Sequence, residues 1–370
     1  MFMKPYALSS KLSEAIKRIY DNDNTADDCR TAFQRDRDRI IHSKSFRRLI
    51  HKTQVLRSDI GDHYRTRLIH SIEVAQIARS LAFALGLDQD LTETIALAHD
   101  IGHGPFGHTG EDVLNEVLRD CGGFNHNVHA FRLVTELERE YYEFDGLNLC
   151  AATLEGLVKH NGPILDNNSL FQPIFDFDKK FGLNLNKYAS LEAQCAAIAD
   201  DIAYNSHDID DALRFGVISI DDLKQVELPN FIMKEIPNIN TKLLGKAIAR
   251  KQISYMINDV IAQSEENIIK FNIKTVQDVY DAPQQIVCFS KKTQNLEKEI
   301  KSFLYKKFYR SSKINNMRSE VEVIIKSLFN VYTKEKSAKN AADYIAGMTD
   351  IFAKKEFEKI KDQYEYFSDL

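Results

Sequence analysis

Glycine and proline are scarce, 15 and 7 in 370 residues. Strand-forming runs are scarce too, while Ala, Leu, Ile, Lys, Glu and Asp recur at helical spacing, so the expected fold class is all-α. Five cysteines, at positions 29, 121, 150, 195 and 288, are odd in number, dispersed and without CxxC spacing. That pattern excludes a disulfide framework and suits a reducing cytoplasm. No run of about 18 consecutive apolar residues occurs, and the start "MFMKPYALSSKLSEAIKRIY" is too interrupted by charge for a signal peptide. The expectation is a soluble, cytoplasmic protein with no membrane partner. There is no GxGxxG, "LLGKAI" lacks the rest of a P-loop, and no serine stands in a nucleophile-elbow context.

What is present begins with 44% hydrophobic residues, ample for a buried core in one large or two ordinary domains. A boundary is expected near 225–240. Net charge is −5, yet residues 30–70 hold eleven Lys/Arg against four Asp, and residues 291–339 hold thirteen against five Glu. Such local excesses mark either solvated helix faces or an anionic partner.

Residues 63–85 place Ile69, Ile72, Ala75, Ile77, Ala78, Leu81, Ala82 and Leu85 on one broad face, and Gly86 stops the helix. Asp88 or Asp90 caps a second helix over about 91–101. Thr109 and Asp112 resemble a capping box opening a third, closed by Gly122-Gly123. Further helices are expected at 125–142, 150–160, 190–214, 240–266, 292–308, 316–333 and 340 to the end. The segments 161–189 and 217–238 break this rhythm and read as irregular connections.

Ten of the eleven histidines fall between 42 and 160. His70 lies at the edge of the first helix's apolar face, and His99-Asp100 follow in the equally apolar "TIALAHDIGH". A buried carboxylate costs several kcal/mol unless a cation or donors meet it, and a metal would answer that cost. Imidazoles with carboxylates suit Mn²⁺, Fe²⁺, Zn²⁺, Co²⁺ or Ni²⁺, with Mg²⁺ served by oxygen ligands and substrate phosphate. A fourth ligand is offered by Asp200 or Asp201, which interrupt an apolar helix face and point about 100° apart, so only one looks inward. Asp200, Tyr204 and Asp208, spaced i, i+4, i+8, form one stripe. His108 and Glu111, spaced i, i+3, can pair.

The stretches "FQRDRDRIIHSKSFRRLIHKTQV", "YRTRLIHSIEVAQIARSLA", "LAHDIGHGPFGHTGE" and "EAQCAAIADDIAYNSHDIDD" strongly resemble the HD-domain phosphohydrolase superfamily. Within it, they resemble the dGTPase-like triphosphohydrolases of the shorter bacterial branch. The resemblance implies an HD-domain helical bundle with additional C-terminal helices: a core over 1–225, comprising an arm (1–60) and HD helices (61–215), and a C-terminal region over 226–370. It implies that His70, His99, Asp100 and Asp200 hold one divalent metal, choosing Asp200 over Asp201. It implies that Tyr204 packs on a deoxyribose, with its bulk against C2′ disfavouring a ribose, and that Asp208 binds the 3′-hydroxyl. His108 and Glu111 become a catalytic pair, and His103 and His126 further active-site histidines that contact phosphates. Arg67 matches a phosphate contact, Gln54 a sugar contact and Lys159 a triphosphate contact; Arg47 and Arg48 fit subunit packing, a regulatory nucleotide or DNA better than chemistry. His129 matches no family role.

The implied reaction is hydrolysis of a deoxynucleoside triphosphate, dGTP or another, to deoxynucleoside and inorganic triphosphate. A dNTP activator and a homo-oligomer, tetramer or hexamer, are the implied partners. Two rivals stand beside this reading. One is another HD phosphohydrolase activity, as a nucleotidase or phosphodiesterase. The other is a nucleotide-sensing or single-stranded-DNA-binding protein using the basic 30–70 stretch.

Overall fold

The computed structural model describes residues 3–21, 29–55, 65–165, 169–236 and 241–368. His63 and Tyr64, at the start of the first expected helix, and Arg57 of the basic stretch lie outside them. Among the described residues the structure is all helical, with extended pairing confined to two isolated bridges, Thr53 with Thr66 and Arg139 with Gly146.

The centre is built from three helices that pack on one another, Arg67–Leu85, Gln89–Ala98 and Leu191–Arg214. Ala32–His42 lies across the second, and Thr241–Lys270 across the third. Thr66 caps the first by accepting from the Ile69 N–H, and Gly86, at φ 70°, ends it. Its buried face differs from the apolar face expected. Ile69 and Ile72 are 45% and 48% exposed, whereas Arg67, His70 and Ser71 point inward with Val74, Ala78 and Leu81. A helix apolar almost all round offers no unique inward face by periodicity, so tertiary packing sets the rotation. By length and composition this helix is apolar enough to cross a membrane, but half of it is buried inside the fold.

The third expected helix starts earlier and differently. It runs Gly107–Val117 with no side-chain cap; Phe106 and Gly107 take left-handed conformations, φ 64° and 60°, instead of a Thr109 cap. The stretch 125–142 is helical only to Leu137, through a wide π turn. The last helix is two, Ala338–Ala346 and Asp350–Ser368. The supposedly irregular segments contain Gln172–Phe181, Ile220–Leu223 and Glu227–Glu235, and the basic stretch forms Ala32–His42 behind a Thr31/Gln34 capping box.

Much of that basic stretch is neutralised from elsewhere in the chain. Arg37 pairs with Asp90 and Glu93, Arg65 with Glu73 and Asp211, and Arg67 with Asp100, while Lys52 is buried against carbonyls. The sequence excess of cations is therefore largely an internal wiring scheme. It leaves less charge for a polyanion than the count suggests.

One hydrophobic core runs continuously from Ala7 to Ile314, across the 225–240 region. A second joins Phe106, Val113 and Leu114 to Ile325, Leu328 and Ile345, fastening the C-terminal helices beneath the Gly107–Val117 helix.

Within the first core, Glu192 is fully buried and accepts hydrogen bonds from the Leu8 and Asp88 amides at 3.0 and 3.2 Å. Burial raises its pKa to about 8, the amide donors only partly opposing it. A carboxyl raised in the folded state contributes stability that is present below its unfolded pKa, about 4.3, and lost as pH rises through 8. Glu192→Gln is therefore expected to flatten the pH profile: its Tm gains on the parent between pH 5.5 and 8.5. Parallel melting curves of the two proteins at both pH values measure this, and a constant difference refutes it.

Candidate active site

The Arg67–Leu85 helix brings His70 inward, and the end of Gln89–Ala98 delivers His99 and Asp100. All three are buried, and their ligand atoms lie within 4.8 Å of one another, a group that could hold a metal ion. Asp200, from the middle of Leu191–Arg214, reaches His70 Nε2 at 2.8 Å and His99 Nε2 at 3.7 Å. Its neighbour Asp201 turns instead to Lys301 at 2.7 Å.

His99 shows directly how the residues fit a cation. Its Nδ1 lies 2.6 Å from the Ala96 carbonyl and so carries the proton, while Nε2 is buried with no hydrogen-bond partner. That leaves a lone pair aimed among three other potential ligands, the tautomer a metal site needs. Burial alone would lower the His99 pKa, but the Asp100 and Asp200 carboxylates outweigh it and raise it. The position therefore favours a positive charge, which a proton or a metal ion can supply. Burial pushes Asp100 up, yet Arg67 and His99 hold it well below the usual carboxylate range.

Arg67 is itself buried and donates to Asp100 at 2.8 Å, but its Nε and Nη2 have no partner. A guanidinium with unspent donors beside a metal group is equipped for an anionic oxygen. Gln54, buried nearby in the chain's approach to the Gly107 turn, likewise has an unpartnered Oε1.

A second cluster, His103, Glu111 and His126, could also hold a cation by its geometry. Glu111 meets His126 Nδ1 at 2.8 Å and accepts from the His126 amide at 2.9 Å, whereas His108 Nδ1 is 3.6 Å away. The tight partner of Glu111 is thus His126 rather than the His108 expected from i, i+3 spacing. Asn125 caps the His126–Arg132 helix, which places His126 at its first residue. Burial opposes ionisation of Glu111, but the His108 and His126 rings beside it hold its pKa far below the usual range. His103 stacks on His126, ring centroids 3.8 Å apart, and approaches Asp100 at 3.2 Å. Burial and the nearby charges of Arg67 and His126 keep it neutral.

Gly102 explains how the clusters lie so close. A Cβ there would stand 2.0 Å from the His126 carbonyl oxygen and 2.4 Å from the Ala130 nitrogen, so only glycine permits this backbone contact.

Tyr204 is half-buried on the Asp200 helix, and Asp208, two turns on from Asp200, is buried. Burial raises Asp208 to about 8, with a hydrogen bond from the Tyr309 hydroxyl opposing. Tyr309, whose ring lies 5.9 Å from that of Tyr204, was missed by sequence reasoning; it sits in a five-residue π turn with no periodic signal. His160 was also missed, although it adjoins Lys159. Its ring faces His99 at 6.5 Å, and burial lowers its pKa to about 4.

Lys159 is not brought to this cluster. Its ammonium is buried, paired with Glu155 at 2.7 Å and bonded to the Asn184 and Tyr188 carbonyls. Moving it to a triphosphate would strand a buried carboxylate, which opposes the role its sequence position suggested. Arg47 is exposed and Arg48 half-buried.

Comparison with known proteins agrees with this geometry. Residues 67–205 match the HD domain, and residues 287–339 match the phosphohydrolase-associated domain. The chain is 49% identical to the deoxyguanosinetriphosphate triphosphohydrolase-like protein of Bartonella henselae, over 91% of each chain. It is 47% identical to that of Brucella canis over 90% of each. With a like-named protein of Mesorhizobium japonicum it shares 46% identity, over 97% of this chain and 95% of the relative.

Proposed function

The chain belongs to the deoxyguanosinetriphosphate triphosphohydrolase-like family of HD-domain proteins. From that premise we propose that it hydrolyses deoxynucleoside triphosphates to deoxynucleoside and inorganic triphosphate. The observation that carries the reading is the buried His70–His99–Asp100 group with the unspent donors of Arg67 beside it. It supports a metal-dependent phosphohydrolase, and the Asp200–Tyr204–Asp208 stripe supports the deoxynucleotide.

His70, His99, Asp100 and Asp200 would hold one divalent ion, the lone pair of His99 and the three other groups forming a mixed nitrogen and oxygen donor set. When bound, such an ion supplies Lewis-acid polarisation of a phosphate oxygen and offsets substrate charge. The protein's own groups do the rest. Arg67, through Nε and Nη2, binds phosphate oxygens. Gln54 and Asp208 orient the sugar, and the Tyr204 ring covers it. Water attacks the α-phosphorus, the bond to the 5′-oxygen breaks, and that oxygen takes a proton from an imidazole supported by Glu111, either His126 or His108. The water's surplus proton leaves with solvent, and the products are a neutral deoxynucleoside and triphosphate. Residues 1–225 carry this chemistry, and residues 226–370 complete the pocket through Tyr309.

The test is to incubate the protein with each dNTP, singly and in mixtures, with Mn²⁺ or Mg²⁺, and to quantify products. Deoxynucleoside and triphosphate in equal amounts are expected. A monophosphate or pyrophosphate product overturns the reaction. No product from any dNTP, with salt-dependent binding of single-stranded DNA instead, turns the reading to a nucleic-acid-binding role.

A further inference from the structure

The outward face of the Arg67–Leu85 helix is the reverse of an ordinary surface helix. Four of its nineteen residues are exposed, Ile69, Ile72, Gln76 and Phe83. Three of these are large and apolar, and Phe83 is the most open at 56%. A solvated helix carries polar residues on that stripe. The order of the four positions is that of a heptad seam: with Ile69 at a, Ile72 falls at d, and Gln76 and Phe83 at the next two a positions, while the half-buried Arg79 supplies the d between them. Such a seam is the pattern that packs against another helix.

Beside it runs a groove of about 700 Å³ whose apolar lining is Ile41, Phe46, Ile72, Ala75, Phe83 and Leu97. Ile41 is exposed there as well. The charged residues lining the groove are Arg79 and Glu93, and they pair with each other at 2.7 Å. Gln76, Ser80 and Gln89, its other polar residues, are uncharged. Among the described residues the lining therefore has no surplus charge to select an acidic or a basic protein, and no spare cation to attract an anionic lipid surface. The surface that matches this face is the face itself. An apolar ridge and an apolar groove lie side by side, and its neutral amides suit neutral amides, which is the self-complementarity of a twofold contact.

We propose that this face is a twofold interface with a second copy of this chain, in which the two Arg67–Leu85 helices pack antiparallel. With the axis between Ile77 and Ala78, Ile72 meets the partner's Phe83, and Gln76 meets the partner's Arg79. Ile72 and Phe83 are eleven residues apart, about 16 Å along the helix. The pairing thus closes both apolar ends of the seam and leaves one polar layer at its centre, the device that fixes register in paired helices. The contact covers from outside the helix that turns His70 inward, but uses no residue of the metal or acid–base clusters. It goes beyond the proposed hydrolysis and does not rest on it.

The test is the size of the full chain in solution, measured by sedimentation velocity in EDTA without nucleotide. The parent is expected to sediment as a dimer or a larger even-numbered assembly. Ile72→Asp/Phe83→Asp is expected to halve the number of protomers, with association weakened about a hundredfold or more, because the contact would then bury unpaired charges. Both positions are exposed in the single chain, so its circular dichroism is expected to match the parent's. In a Cys29→Ser/Cys121→Ser background, Ile72→Cys/Phe83→Cys is expected to give a disulfide-linked dimer on mild oxidation. Ile69→Cys in that background is expected not to, since its two copies would stand about 25 Å apart along the antiparallel pair. A monomeric or odd-numbered parent overturns the proposal, whether or not it binds vesicles of anionic lipid. So does an unchanged protomer number in a folded aspartate variant, or cross-linking of Ile69→Cys as efficient as that of the paired variant. If the aspartate variant does not fold, the cysteine variants decide. No turnover is measured, so this result and that of the hydrolysis assay stand or fall separately.

Discussion

Asp100→Asn is expected to reduce dNTP hydrolysis by about a hundred- to a thousandfold, the scale seen when a preorganised electrostatic group is removed from a reaction centre. Asp100 is shared three ways: one oxygen takes the Arg67 guanidinium, and the other lies 3.5 Å from His99 and 3.2 Å from His103. The amide keeps the shape and one acceptor, so a folded protein is expected. It removes a charge that would hold a divalent ion and leaves Arg67 less neutralised. Two measurements separate chemistry from folding, product formation under saturating Mn²⁺ and the melting temperature in EDTA. Turnover within tenfold of the parent, from a protein melting normally, sinks the assignment of Asp100.

Asp350→Ala is expected to cost about 3 kcal/mol or more of stability, since two buried amides lose their acceptor at about 1–3 kcal/mol each. The Asp350 carboxylate accepts from the Thr53 amide at 2.9 Å, from the Thr53 hydroxyl, and from the Phe106 amide at 2.8 Å. Beside it the Lys52 ammonium donates to the carbonyls of His103 and Ala346, and burial lowers that ammonium's pKa to about 7. Together they fasten the C-terminal helices to the segment holding Gln54 and to the turn between His103 and His108. Phe106 pays for its φ of 64° with about 1–2 kcal/mol of backbone strain, and Asp350 holds it there. Beyond the lost stability, kcat is expected to fall more than KM changes, because the turn carries the proposed acid–base groups. Urea unfolding and steady-state kinetics check both effects. A loss below 1 kcal/mol, or a change confined to KM, contradicts the role.

The contrast between these two residues shows what a sequence can reveal. His99-Asp100 were legible because a polar pair inside an apolar helix is conspicuous within ten residues. The helical nature of the chain was legible for the same reason, since helix periodicity is local. Asp350 was not, because its partners lie 244 and 297 positions away and nothing in its neighbourhood marks it. Tyr309 and the commitment of Lys159 to Glu155 were hidden likewise, the first by an irregular turn and the second because burial depends on helices remote in sequence. His108 and Glu111 mislead in another way. Spacing showed that they can meet, but a third residue, His126, reaches the carboxylate more closely through tertiary packing. Ile69 and Ile72 were placed inward by a periodicity too uniform to fix a rotation.

The contact at Gly102 has a consequence for how such a protein can diversify. Because the HD turn touches the His126–Arg132 backbone without any intervening side chain, there is no compressible layer between the two histidine and carboxylate clusters. Their spacing is set by atoms common to every amino acid and cannot be tuned by ordinary substitution. On the proposed function, variation in substrate preference would fall instead to the Tyr204–Tyr309 pair, where two side chains meet and either can change.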